Sequence, residues 1–497
     1  MSPIPNYVTP GVYVTQAPTS PFASANSEAI NICFLGYSST TPSGLWTDYA
    51  TVLSGGQTIA LSYLTSSGSI TSITSSNGYT ALSGTDYTVG SGTNNQNAPI
   101  TTITLATGDA TVSGLVNSQI AINYGYATAT TGVFYNFYDY NSVTATFGNP
   151  WNFTASGVTV NSPVSLAAYL AFQNGAQNVT CCNITTSGGG VPTEQDYLNA
   201  IILTSGNSVY TNPDIDVIVP LTTVTSTGQL LKFLPNYLSS QAQNGIFQRS
   251  FVGIDTTVTS GTTLTAAMKG LTSAANSSRV TIAAPAALTI NPGLNSTTGY
   301  SNGTVTVGGY YLAAALAGVF AGQPDVYIPI THKTVNGFAG IPNQVSPSDS
   351  QTIQAFGGTI VRQRNDGSIY VRHGLTTNTS NWMTQELSIS AIGDRLSQNI
   401  QSSIDSSEII GSALTQSTLS SLQSIVLATL TKAVNTNLIQ SYQNLSYTYS
   451  NNSPTTINVS FQYSPTFPLN YVQVVMSVNA QTGTITTASN INSAVIG

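Results

Sequence analysis

The sequence predicts an α+β multidomain chain. Its expected parts are a central α/β domain with a mostly parallel sheet, an inserted all-β domain, a C-terminal α+β domain, and extended arms at both ends. Three observations lead there. The 497 residues exceed what one ordinary core organises. From Trp151 onward, apolar runs of strand length alternate with helix-periodic stretches, as in a parallel sheet covered on both faces. Between residues 50 and 147 that rhythm gives way to Ser, Thr, Gly and Asn broken by short β-type runs.

Taken in order, residues 1–25 read as an N-terminal arm. Val12-Tyr13-Val14 is a short alternating run set among Pro5, Pro10, Pro18 and Pro21, so no packed element is expected around it. Residues 26–49 and 148–356 form the α/β domain. INICFLGY (30–37) has the length of a buried strand. The insertion, 50–147, carries ITTITL (100–105) and IAINYGYA (120–127) and shows no helical period. Ser162 caps a helix with Pro163 at its first turn, and Gly175 ends it. A strand follows at 178–184. Thr193 caps the next helix, with Glu194 and Asp196 placed well for the helix dipole. Strands at 214–220, 250–255 and 279–285 then alternate with helices at 228–244, 262–276 and 309–321.

The C-terminal domain, 357–469, opens with a hairpin over 357–374, turned at Asn365-Asp366-Gly367. Two amphipathic helices follow. Ile389, Ile392, Leu396, Ile400 and Ile404 make one stripe; Leu419, Leu422, Val426, Leu430, Val434 and Leu438 make the other. An alternating strand runs through Ile457, Val459, Phe461 and Tyr463. Residues 470–497 are a last strand and arm, in which Val472, Val474, Met476 and Val478 share one face.

Composition narrows the function. Charged residues are 5% of the chain, against roughly a quarter in an average soluble protein. With 41% hydrophobic residues the chain still folds, but its weakly charged surface favours association. No Lys or Arg precedes Lys232. Arg362, Arg364 and Arg372 are too sparse for a nucleic-acid footprint, so no nucleic-acid partner is expected. Cys33, Cys181 and Cys182 make no disulfide framework. No apolar signal core and no run of about 18 apolar residues occurs, so a membrane span is not expected and synthesis in the cytoplasm is.

Catalytic chemistry is thin. His332 and His373 are the only histidines, and neither has a ligand spacing. Gly188-Gly189-Gly190 lacks a nearby lysine for a phosphate cradle. Asp214 and Asp216 share a strand face without a third ligand. No catalytic, metal or cofactor residue is assigned, and no cofactor is expected.

Several stretches, in this order, resemble tail sheath proteins of phages and related contractile injection systems. They are NYVTPGVYVTQ (6–16), TDYTV (85–89), VFYNFYDY (133–140), FGNP (147–150), SPVSLAAYLAFQNGAQNV (162–179), SSRVTIAAP (277–285) and GGYYLAAALAGVFAG (308–322). PITHKTVNGFAGI (329–341), GGTIVRQRNDGSIYVRHGLTTN (357–378) and the helix carrying Ile392-Gly393-Asp394-Arg395 continue the series.

The resemblance implies a structural virion protein and no enzyme. It implies hexameric rings stacked as a helical sheath, with a tail tube protein inside and baseplate and tail terminator proteins at the ends. It implies terminal arms that add strands to neighbouring subunits, here Val12, Tyr13, Val14, Val472, Val474, Met476 and Val478. It also implies a tube-facing inner helix, for which Arg395 and Lys432 are the candidate cations. An isolated strand independently needs a neighbouring sheet edge for its backbone groups. The alternative reading is a secreted β-rich surface-layer or adhesin protein, which low charge and abundant Thr and Asn also suit. An α/β enzyme with a β lid is a further reading, disfavoured by the sparse chemistry.

Overall fold

The computed structural model describes residues 29–37, 43–61, 65–75, 80–93, 99–127, 129–154, 157–184, 186, 192–202, 208–212, 214–254, 261–293, 303–450, 453–472, 475–478 and 485–488. The expected Val12-Tyr13-Val14 strand, the Gly188–Gly190 run and Val474 lie outside these.

Apolar runs that lack a polar face must be covered on both sides, and a large mixed sheet achieves this. From one edge its order is Ile369–His373, Gly358–Gln363, Val280–Ala284, Arg249–Ile254, Val217–Pro220, Asn31–Gly36, Asn178–Asn183 and Phe134–Phe137. Thr223–Val224 adds to Arg249–Ile254. The interior pairs are parallel, and each edge strand is antiparallel. Register sets Phe34 beside Cys181 and Val219.

Alternation divides the side chains between two cores. Ile32, Phe34, Val179, Cys181, Val217, Val219 and Phe251 face one core; Cys33, Leu35, Cys182, Ile218, Val252 and Ile282 face the other. Helices Glu194–Ile202, Gln229–Gln243 and Gly261–Ala275 cover the second face. Helices Pro163–Gln173, Gly309–Ala321 and Leu387–Asp405 cover the first.

The Gly309–Ala321 helix is buried at every position except Tyr310 because it lies between the sheet and Pro163–Gln173. Such close approach needs glycine. A Cβ on Gly318 would stand 2.7 Å from Ala171 Cα, and one on Gly253 would stand 2.1 Å from Tyr310 N.

The β-rich segment folds on a third core, with Val52, Ile59, Ile73, Ile103, Ile120, Ile122 and Tyr124 at its centre. Two sheets contribute. Ser43–Thr51, Gln119–Ala127, Thr65–Ser75 and Ala81–Leu82 make one; Thr58–Ala60, Pro99–Leu105 and Tyr87–Thr93 make the other. The ends differ from the expected 50–147. Ser43–Thr51 pairs fully within this layer, whereas Phe134–Phe137 joins the large sheet and Tyr140–Phe147 is a helix packed with Pro163–Gln173. A short helix, Ala110–Gly114, also interrupts the all-β expectation; Asp109 caps it, accepting from Val112 N at 3.0 Å.

The hairpin expected to open a separate C-terminal domain instead supplies two strands of the large sheet. Gly358 to Ile360 pair in parallel with Ile282 to Ala284, which continues the interior ladder. The two expected amphipathic helices are Leu387–Asp405 and Gln416–Asn435. The second ends three residues before Leu438, because Asn437 takes φ 60°. There the chain turns into a strand the sequence reading lacked, Ile439–Ser450, which pairs with Ser453–Pro465.

Candidate interaction surfaces

Helix Gln416–Asn435 buries Val426, Thr429, Leu430 and Ala433 against the molecule. Its outer face keeps Ser424, Leu427, Ala428, Thr431, Lys432 and Asn435, which line an open concavity of about 500 Å³. Leu427 is 47% exposed there. Lys432 is exposed in the last turn, where a cation is favoured by the helix dipole.

Arg395 is placed differently. It is half-buried and lines a small crevice of about 30 Å³ together with Asp216, Arg249, Asp394 and Gln398. Burial pushes the Asp325 carboxyl up, and the Val326 amide and the Arg395 charge partly oppose that. The two candidate cations therefore sit in unlike settings.

Beside Arg395 lies a cluster that sequence reading missed. Asp394 accepts from Arg249 Nη2 at 2.5 Å and also from Arg279 Nη2. The three side chains are 9%, 6% and 11% exposed respectively. Arg249 also donates to Ser278 O and Ser390 Oγ. Burial lowers the Arg249 pKa, and Asp394 opposes the shift. The cluster ties helix Leu387–Asp405 to strand Arg249–Ile254 and to the residue that precedes Val280–Ala284. Two of the quoted stretches, SSRVTIAAP and Ile392-Gly393-Asp394-Arg395, meet in it.

The Ile439–Ser450 and Ser453–Pro465 hairpin rests Tyr442, Leu445, Tyr447, Val459, Phe461 and Tyr463 on the first core. Outward it carries hydroxyls and amides, with Ser446 and Ser460 Oγ at 2.8 Å and Asn444 Nδ2 donating to Gln462 at 2.8 Å. Among the described residues, Ile439–Ser450 has one sheet partner, so its other edge faces no described strand. After the hairpin, Leu469, Tyr471 and Val472 are 83%, 81% and 73% exposed. The strand containing Met476 and Val478 spans Val475–Val478 and pairs antiparallel with Ile485–Ala488, with no other sheet partner among the described residues.

The remaining candidates have structural roles. Asp216 accepts from Asn31 N at 2.8 Å, joining the starts of two strands. Glu194 accepts from Gln229 N and so caps a different helix from its own, while Asp196 accepts from Thr193 N and Oγ1. Burial pushes the Cys182 thiol up to about 12 and raises Cys33 and Cys181 as well. Arg364 lies 4.3 Å from the Tyr370 ring centre. Among the described residues, no three potential metal ligands gather, and no helix is long and apolar enough to cross a membrane.

No family model matches the sequence. A tail sheath protein of Mycobacterium phage Bxz1 is 28% identical over 329 residues, covering 66% of this chain and 53% of that protein. The chain is thus similar to a phage tail sheath protein over two-thirds of its length. A tail sheath protein of Bacillus phage SP01 is 26% identical over 216 residues, 43% of this chain and 35% of that one. The matches thus span about half and a third of these relatives' lengths.

Solved contractile structures share the fold. The anti-feeding prophage helical sheath in its contracted state aligns over 95% of this chain and 100% of that one, with TM-score 0.53 and 10% identity. The sheath complex of the PVC extracellular contractile injection system, also contracted, aligns over 71% of this chain and 89% of that one, with TM-score 0.51 and 10% identity. The mixed sheet with several small sheets is therefore an architecture that these sheath chains share.

Proposed function

We propose that this chain is a structural subunit of a contractile tail sheath, assembled in the host cytoplasm and carried in the virion. The observation that carries the reading is the 28% identity to a phage tail sheath protein over two-thirds of this chain. Subunits stack as hexameric rings around a tail tube, between a baseplate and a tail terminator. On triggering, the rings twist and the sleeve shortens, driving the tube through the target envelope. The energy resides in the assembled lattice, and no nucleotide or cofactor takes part.

Three surfaces take parts in this scheme. The layer built on the third core faces outward, since its apolar contacts are self-contained. Helix Gln416–Asn435 faces the tube with Leu427 and Lys432. The terminal strands, Val12 to Val14 and Val475–Val478, add to the open edge of Ile439–Ser450 in neighbouring copies. What supports the last assignment for the C-terminal strand is geometric: among the described residues Val475–Val478 pairs with Ile485–Ala488 alone and Ile439–Ser450 with one strand, so each has an edge whose backbone groups a second copy can satisfy.

Electron microscopy of the purified chain under polymerising conditions tests the reading. Hollow sleeves or rings are expected. Flat two-dimensional sheets would favour the surface-layer alternative, and dispersed monomers at every concentration would count against a sheath.

A further inference from the structure

We infer that residues 466–472 are a docked root for the C-terminal arm, held to the molecule by a clasp of Trp382, His373 and Glu386. The inference rests on the arm assignment made above. The clasp itself is a matter of described contacts. Thr466 Oγ1 donates to Asn437 O at 2.5 Å. The Phe467 and Trp382 rings meet with centroids 5.4 Å apart. Asn470 Nδ2 donates to Glu386 Oε2 at 3.0 Å, and His373 Nε2 lies 2.7 Å from the same oxygen. The Tyr471 ring stands edge-on to His373 at 6.4 Å.

The two polar holders belong to rigid parts. His373 ends an edge strand of the large sheet, and Glu386 occupies the N-cap position of helix Leu387–Asp405. Glu386 is 5% exposed, and its charge sits favourably at a helix start. One carboxylate oxygen thus gathers a ring N–H and an amide N–H. Asn470 Nδ2 also lies 3.2 Å from His373 Nε2, so the amide meets both members of the pair.

The neighbours of Asn470 behave in the opposite way. Leu469, Tyr471 and Val472 stay 83%, 81% and 73% exposed, so apolar burial does not explain the docking. Polar and ring contacts of Thr466, Phe467, Asn470 and Tyr471 do. In consequence the position of the chain at Val472, where the arm begins, is set by the sheet edge and the helix start. Movement of helix Leu387–Asp405 against strand Ile369–His373 shifts the arm's origin with it. The clasp positions the arm and does not bind a partner itself.

The test uses the full chain with Asn470→Asp, which sets a second carboxylate against Glu386, and with Asn470→Ala, which removes the donor without new charge. Hydrogen exchange of the peptide over 466–472 is read in the monomer, and sleeve regularity is read by electron microscopy. Exchange in that peptide should rise at least about tenfold in both variants, while strand Ile369–His373 and helix Leu387–Asp405 keep wild-type protection. Sleeves should become fewer and uneven in diameter. Unchanged exchange over 466–472 would overturn the clasp. Raised exchange with wild-type sleeves would overturn its role in aiming the arm. A wild-type chain that forms no sleeves would instead sink the sheath reading and the aiming role together, with the exchange data still deciding the clasp.

Discussion

Asp394→Asn removes the carboxylate that Arg249 and Arg279 share, with little change in shape. Arg249 is 5% exposed, so water cannot replace the lost charge. It would retain the Ser278 carbonyl and the Ser390 hydroxyl, which are neutral acceptors. Removing one member of a buried ion pair costs about 3–5 kcal/mol, because a desolvated charge is left behind. An exposed pair would contribute only about 0–1 kcal/mol. The side-chain exposures of 6% and 9% place this pair in the first class. Urea unfolding followed by tryptophan fluorescence should show a lower midpoint at unchanged slope, worth about 3–5 kcal/mol. Arg279→Gln should cost less, since the Arg249 and Asp394 pair survives. A loss below about 1 kcal/mol for Asp394→Asn would refute the view that this cluster holds helix Leu387–Asp405 to the sheet.

Gly318→Ala sets helix propensity against packing: the change gains about 1 kcal/mol in a free helix, but the new Cβ meets Ala171 backbone at 2.7 Å. Overpacking of about 1–3 kcal/mol should win, and thermal melting should move down rather than up. The Asp139 carboxyl is held below its usual range by the Ser142 hydroxyl and then the Ser142 amide. Its folded pKa is depressed, so its support for helix Tyr140–Phe147 is full above about pH 4 and is lost as pH falls through the folded value. The melting difference between wild type and Asp139→Ala should therefore shrink on acidification; growth of that difference would show the sign to be wrong. Lys432→Glu should weaken assembly on tail tubes at low salt while leaving the monomer's melting temperature within about 2 °C, since an exposed charge contributes little to folding; equal assembly would remove Lys432 from the tube contact.

Much of the large sheet was legible because its strands are continuous apolar runs, as in NICFLG and VTIAA, and its helices carry local stop and start signals. Ser162 and Gly175 illustrate both, with Ser165 N bonded to Ser162 Oγ and Gly175 at φ +100°. Strand Ile439–Ser450 was not legible because bulges break its alternation; Asn444 at φ 57° shifts Tyr442, Leu445 and Tyr447 out of period two. Phe134–Phe137 looked like part of the insertion since nothing local reveals a partner that lies some 40 residues on, at Asn178–Asn183. Helix Pro347–Ala355 went unread although Ser346, Pro347 and Asp349 spell a capped start.

The surfaces were harder still. The Arg249–Asp394 contact joins positions 145 residues apart, and the Glu386–Asn470 contact joins positions 84 apart. In sequence His373 was a lone histidine, and Glu386 was one acid before an apolar stripe. The resemblance supplied Arg395 and Lys432 as equals, and burial separates them.

A helical reconstruction of the assembled sleeve tests the central claim most directly. The account predicts density for a strand from a second copy hydrogen-bonded along the outer edge of Ile439–Ser450, continuous with that copy's own residues 466–472 or its N-terminal segment. A sleeve in which that edge meets only solvent, with Val475–Val478 still paired solely to Ile485–Ala488, would contradict it.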